Sequence, residues 1–551
     1  MQNPISDSPP PGTHTPARPP LRGMIALAAL LAALIGFFHF ASGSAHCELG
    51  SHPDEAAHFV TGLMVRDYLA HGLHESPLRY ADEYYRHYPK IGLGVWPPFF
   101  YLIQAAWTLV FPAGAGSILW LMALLELALA TVTAWWLWRE YGWVEAVTGS
   151  VLLTALPLVQ QYGNMVMAEM LSALLMFGAI GCFARYMEGE EWRGAIGFGI
   201  CAGLAIMTKG TGLALAMVPV LAIAYTRQFA LLKRPSLWVA AVLVGVIAGP
   251  WTWHFRNEGR GGWEEPNPSA HFTREAIGFY SREVIVAVGG LLALLALAGI
   301  VALLLMRGRK PAIAVCSLAL VLAVLVFQSI MPVGLEARHL MPAMPAMMVL
   351  AMLGLHAITV QCCPRKRVVV ATGLLALFMI LPLIFPPAAP VPGYGSIGNG
   401  FHLSPFRIPV KRWGGFESVA EAAIARGGKM LVASDSRGEG MLIADVASRD
   451  NHRPTYTVER ASKILASSTW SGSGYQSFYQ TPAQVRDALQ KGGVSLVITD
   501  TSAPQTAHDK LLVQTVGAGS GFTLLGEWAV YRDGLAPAGI LSLYRAPWAS
   551  K

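Results

Sequence analysis

Two carboxylates stand side by side in Ser51-His52-Pro53-Asp54-Glu55-Ala56-Ala57-His58. Pro53 fits the first turn of a helix, where Asp54 and Glu55 meet the positive end of the helix dipole. Asp54 and His58 are four apart and Glu55 and His58 three apart, so one helical face unites them. A carboxylate there serves as general base if an acceptor hydroxyl comes within hydrogen-bond reach. The same residues also make an ordinary helix start, and their order is not the His-Glu-x-x-His of zinc hydrolases. Downstream, Tyr84-Tyr85-Arg86-His87-Tyr88-Pro89-Lys90 precedes Trp96-Pro97-Pro98-Phe99-Phe100-Tyr101. Such rings suit a membrane interface or a sugar platform equally, and Lys90 suits a phosphate or a lipid headgroup.

Three charged positions lie at the edges of apolar runs, where an ionisable group costs free energy and marks either an ion pair or a site. Glu169 sits early in one run, Lys209 interrupts two in Thr208-Lys209-Gly210-Thr211-Gly212, and Arg338 precedes another in Glu336-Ala337-Arg338-His339-Leu340-Met341-Pro342. Beside an acidic loop they point to one shared polar cavity. A guanidinium at Arg338 can make paired bonds to phosphate oxygens.

The elements that must hold these charges are membrane spans. Of 551 residues, 54% are hydrophobic and only 13% charged, with a mean hydropathy of +0.46; a soluble chain carries roughly a quarter charged residues. The apolar residues fall in runs of about 16 to 24, long enough to cross the hydrocarbon core as helix. The expected fold is a polytopic α-helical membrane protein of about 11–13 transmembrane helices, followed by a soluble α/β domain. The first run is Met24 to Ala41; later ones include 96–112, 142–160 and 283–306. Counting sides forward from the N-terminus and backward from the basic clusters gives opposite parity for 117 to 209, so one segment between 96 and 138 is expected to be re-entrant or one crossing to be hidden. The formal charge of +7 resides in clusters such as Arg307, Arg309 and Lys310, which fix orientation rather than bind nucleic acid. Six cysteines show neither metal spacing nor a disulfide framework.

The expected organisation is a disordered cytoplasmic segment 1–23, a membrane domain 24–394 with outer loops at 44–95 and 256–282, and a soluble domain 395–551. In the last, Lys429–Ser434, Val494–Thr499, Phe522–Tyr531 and Ile540–Tyr544 read as strands. Thr481-Pro482-Ala483-Gln484 reads as a capped helix start. This domain has no Gly-rich phosphate loop and reads as accessory.

In order along the chain come Asp54-Glu55, Tyr88-Pro89, Pro97-Pro98, Glu169, Thr208-Lys209-Gly210, Pro250-Trp251 and Arg338-His339-Leu340-Met341-Pro342-Ala343. This order resembles the membrane glycosyltransferases of the C-type fold (GT-C), in particular the protein mannosyltransferases and the aminoarabinose (ArnT-like) transferases, over about residues 24–390. The resemblance implies a polyprenyl-phosphate-linked sugar as donor and inverting transfer to an acceptor hydroxyl at the outer face. It makes Asp54 the base, with Glu55 its neighbour, and places Lys209 and Arg338 near the donor phosphate. Glu169 matches a position that is usually Asp, and His339 one that is more often Tyr. His58, Tyr88 and Lys90 complete the candidate substrate-binding set. Aminoarabinose transferases carry Glu-Lys before Pro-Pro, that Glu helping to hold a metal; here stand Val95 and Trp96. No cofactor is therefore fixed, a divalent metal stays open, and lipid A aminoarabinose transfer is disfavoured. The acceptor, whether lipid, glycan or protein, stays open too. Expected surroundings are membrane lipids of a bacterial-type inner membrane, with the site and the C-terminal domain extracytoplasmic. Two other readings compete: a transporter or flippase for a lipid-linked saccharide, although no internal repeat is evident, and a non-catalytic scaffold for envelope assembly.

Overall fold

A computed structural model describes residues 18–549 apart from 93, 190, 363, 386–401, 409–411, 451–453 and 470–473. Most of the segment expected to be disordered, and the expected domain boundary near 394, lie outside the described residues. The first helix begins at Leu21, inside that N-terminal segment, because Pro20 caps it and Leu21-Arg22-Gly23 complete its first turn.

Among the described residues seven helices are long and apolar enough to cross a bilayer, nine if two bent pairs each count as one span. With the shorter Glu191–Ile206 and Gly210–Thr226, the described residues supply eleven candidate crossings. Span Ala337–Val360 is central, with 78% of its apolar window buried, whereas Pro235–His254 has 17%. On the latter Trp238, Val242 and Val246 point outward, as lipid-facing side chains do, since hydrocarbon imposes no cost on exposed apolar atoms.

Segment 96–112 is not a span. It forms a helix only over Phe99–Val110, about 18 Å long at 1.5 Å per residue and too short to cross. The Phe99 amide donates to Met207 O, and the helix packs on Pro53–Asp67. The following turn enters Ala115–Tyr141 beside Ser44–His46, just past the end of the first span. Both its ends thus stay at one face, which removes the parity conflict between 96 and 138. Two further runs break where the backbone requires it. Pro157 splits 142–160 into Trp143–Ala155 and Pro157–Gly163 at 66°, since proline cannot donate its amide to the preceding turn. Run 283–306 bends by 106° between Ala270–Val288 and Gly290–Leu305, at Gly289 with φ 79°. The expected outer loop 256–282 is consequently helical from Ala270, capped by the Ser269 hydroxyl, which accepts from the Phe272 amide.

The C-terminal region folds as a mixed six-stranded sheet. Its spatial order is Trp413–Gly414, Thr523–Arg532, Gly539–Arg545, Val494–Asp500, Lys429–Ala433, Val458–Arg460. Lys429–Ala433 pairs in parallel with both Val494–Asp500 and Val458–Arg460, and the other pairings are antiparallel. The capping box of Thr481 and Gln484 forms at the start of helix Pro482–Lys491. Helix Ser436–Arg449 carries this domain onto the membrane bundle, packing against Pro53–Asp67; a side chain at Gly440 would press within 3.0 Å of Ala56.

Candidate active site

Helix Pro53–Asp67 starts as its sequence dictates, with Pro53 in the first turn and the His52 ring accepting the Asp54 amide at 3.1 Å. That start aims Asp54 at Arg338, whose Nη1 lies 3.2 Å from the carboxylate across 284 residues of chain. Arg338 also pairs with Glu336, donating one hydrogen bond from Nη2 at 2.9 Å and holding Nε in ionic contact at 2.8 Å. Its Nε is 3.6 Å from Glu169 Oε1, an oxygen that accepts from Lys209 Nζ at 2.7 Å. Asp54, Glu169, Lys209 and Arg338 therefore converge at one end of the bundle. Each arrives from a different element: helix Pro53–Asp67, the start of span Glu169–Met187, the break before Gly210, and the turn Ala337–Ala343 that opens span Ala337–Val360.

The remaining sequence candidates have different surroundings. Glu55 is buried, and its two oxygens accept the backbone amides of Ser51 at 2.9 Å and Val166 at 3.0 Å. It ties the turn that carries Asp54 to the segment leading into Glu169, each oxygen accepting one backbone amide. His58 is buried, bonded to the Tyr101 hydroxyl at 2.9 Å and 4.2 Å from the Trp96 ring. Burial pushes it down to about 4 despite the pull of Asp54 and Glu169, so it is neutral at pH 7. His339 meets the Tyr280 hydroxyl at 2.9 Å. Tyr88 is buried and donates to Asp450 at 2.6 Å, and Lys90 Nζ reaches Ser436 O at 3.1 Å. Burial, with Arg460 adding, draws Lys90 down to about 8.

Asp54 experiences opposing effects. Burial raises its pKa, but His52, Arg338 and His58 together outweigh this and hold it at about 2. Losing the guanidinium would remove two of the effects that lower it, its charge and its hydrogen bond, and make the carboxylate a stronger base.

Sequence reasoning missed Glu336 and His52. Glu336 is the extended residue (φ −130°, ψ 139°) that opens the 3-10 turn carrying Arg338. His52 Nε2 lies 3.7 Å from Glu336 and completes the polar ring. Also missed was the grip of the C-terminal domain on loop 44–95. The Glu48 carboxylate accepts the amides of Gly415, Phe416 and Glu417 at 2.9–3.1 Å, capping helix Phe416–Ile424. With Tyr88 on Asp450, and His87 on Tyr456 O at 2.8 Å, both flanks of Asp54 are pinned to the soluble domain.

Among the described residues no three His, Cys, Asp or Glu side chains are grouped to hold a metal ion. Val95 offers no ligand atom, and Trp96 stacks on His58. The residues present thus do not fit the metal position of the aminoarabinose transferases.

Comparison with known proteins agrees with this architecture. Residues 95–254 match the family described as dolichyl-phosphate-mannose-protein mannosyltransferase, a stretch containing Glu169 and Lys209 but neither Asp54 nor Arg338. No curated protein matches the sequence. ArnT from Cupriavidus metallidurans, in a crystal structure bound to undecaprenyl phosphate, superposes with TM-score 0.53 at 15% identity, covering 96% of this chain and 99% of that one. The apo state of the same protein gives TM-score 0.54 at 15% identity, covering 96% and 98%. The chain is a polytopic membrane protein of the C-type glycosyltransferase fold, resembling the protein mannosyltransferases and ArnT.

Proposed function

We propose that the chain transfers a sugar from a polyprenyl-phosphate donor to an acceptor hydroxyl at the extracytoplasmic face of the membrane, with inversion at the anomeric carbon. The observation that carries this reading is the 3.2 Å pairing of Asp54 with Arg338, beside Lys209 on Glu169. It brings a carboxylate suited to act as base next to two cations suited to a phosphate. The C-type fold and the undecaprenyl phosphate bound by ArnT support the class of donor.

Arg338 and Lys209 receive the donor phosphate. To do so Arg338 gives up a carboxylate, and Asp54, at 3.2 Å, is held less closely than Glu336, at 2.8 and 2.9 Å. Released from the guanidinium, Asp54 gains basicity from its burial, so donor binding prepares the base. The acceptor oxygen then bonds to the anomeric carbon as the bond from that carbon to the phosphate oxygen breaks. Asp54 takes the hydroxyl proton, and the polyprenyl phosphate departs with its negative charge balanced by Arg338 and Lys209, so no general acid is needed. Lys90, within electrostatic reach of Asp54, adds positive charge on the acceptor side.

The test uses purified full-length protein, a polyprenyl-phosphate sugar and a panel of lipid, glycan and peptide acceptors. Free polyprenyl phosphate and an inverted glycoside are the expected products. Intact donor recovered on the other side of a vesicle would instead establish a flippase, and no turnover with any acceptor would leave a scaffold.

A further inference from the structure

At the face of the bundle opposite Asp54 the chain folds around a cavity of about 680 Å³, within the range of about 300–1,000 Å³ for small-molecule sites. Helices Glu169–Met187, Met217–Thr226 and Gly290–Leu305 end there, and Ala312–Ile330 begins there. Its lining includes Arg227, Arg307, Arg309 and Lys310, with Glu188 its one acid among the described residues. Glu188 is already ion-paired with Arg139, which also lies 3.9 Å from Glu140. Arg309 is close enough to act electrostatically on Glu140. The three helix carboxyl ends each contribute about half a negative charge, so four cations leave the cavity positive.

Two of these cations are set in place. Lys310 Nζ donates to the Tyr225 hydroxyl at 2.8 Å and lies 4.0 Å from the centre of that ring. The hydroxyl donates onward to Leu303 O at 2.9 Å, leaving the ammonium with two N–H groups to offer. Arg227 caps its helix in the left-handed region, φ 57°, where glycine is free of strain and arginine is not. Arg307 and Arg309 are exposed and form no ion pair with any described residue. Cationic hollows between spans, at headgroup depth, suit anionic lipid headgroups, and arginine forks match phosphate oxygens.

We propose that this cavity binds the phosphate headgroup of an anionic lipid from the leaflet opposite the candidate active site. The inference is independent of the transfer reaction. The headgroup can belong to a glycerophospholipid or to a polyprenyl phosphate, since both present the same phosphate chemistry.

The experiment measures binding to full-length protein in phosphatidylcholine nanodiscs, titrated with phosphatidylglycerol, cardiolipin or undecaprenyl phosphate and read by native mass spectrometry. Wild-type protein should retain at least one of these over phosphatidylcholine, and which one names the source. Undecaprenyl phosphate also has the active site available, so that arm is run on Arg338→Ala as well, and only binding that persists there belongs to the cavity. R307Q/R309Q/K310Q should lose about tenfold in affinity. Because that cluster also sets orientation, Arg227→Gly is the second variant: it relieves strain, removes one cation, and should bind several-fold more weakly while melting no lower than wild type. Equal affinity in wild type and variants, or no preference for anionic lipid, overturns the site.

Discussion

The two faces of the bundle use positive charge in opposite ways. At the candidate active site Arg338 and Lys209 face Asp54, Glu169 and Glu336, so every cation already has a carboxylate. At the other face Arg227, Arg307, Arg309 and Lys310 share, among the described residues, one lining acid, which Arg139 has taken. A paired cation is held in position but must exchange partners before it meets a phosphate. Unpaired cations attract any nearby anion without exchange. The first arrangement suits a ligand whose arrival must change something, here the basicity of Asp54; the second suits a resident lipid.

The largest effect that would break this contrast is at Arg338. Arg338→Ala should lower kcat/KM for the lipid donor by about 10²–10³-fold, the magnitude of losing a preorganised charge partner at a reacting centre. Arg338→Lys should recover only part, because an ammonium lacks the paired geometry. Steady-state rates against donor concentration read both, and a wild-type value for Arg338→Ala would remove it from the site.

A pH profile sharpens the acceptor side. With Lys90 drawn down to about 8, its charge is present below that pH and lost above it. kcat/KM should therefore fall as pH rises through about 8. Lys90→Arg, which stays charged, should flatten that fall up to about pH 10. An identical alkaline limb in both proteins would show that another group titrates.

The smallest expected effect concerns the clamp. Glu48→Ala removes three bonds at the start of helix Phe416–Ile424 and should cost about 1–2 kcal/mol of stability, as helix caps do. Transfer should slow a few-fold through looser placement of Asp54, with donor affinity unchanged. Thermal melts and donor titrations separate the two contributions.

Much of this arrangement could be read in the sequence because charges in apolar runs are costly wherever they fall. Glu169, Lys209 and Arg338 stood out for that reason, and Asp54 because a Pro-Asp-Glu helix start followed the first span so closely. The strands at Lys429 and Val494 and the Thr481 cap were equally legible, being local patterns of buried residues and capping groups. Segment 96–112 misled because apolar composition does not distinguish a span from a short helix lying within the bundle. The bend at Gly289 was hidden in a run whose hydropathy never drops. Glu48 gave no signal at all, since its partners at 415–417 lie more than 360 residues away. Glu55 looked like a second catalytic carboxylate because the pattern cannot show that two backbone amides already hold its oxygens.

Single-turnover consumption of a polyprenyl-phosphate sugar by Asp54→Asn, set against wild type, probes the proposed base most directly. The substitution releases Arg338, so the variant should bind the donor at least as tightly as wild type while consuming it at least about a hundredfold more slowly. Donor consumption at the wild-type rate, with the variant folded and inserted, would contradict the assignment of Asp54 as the group that takes the acceptor's proton.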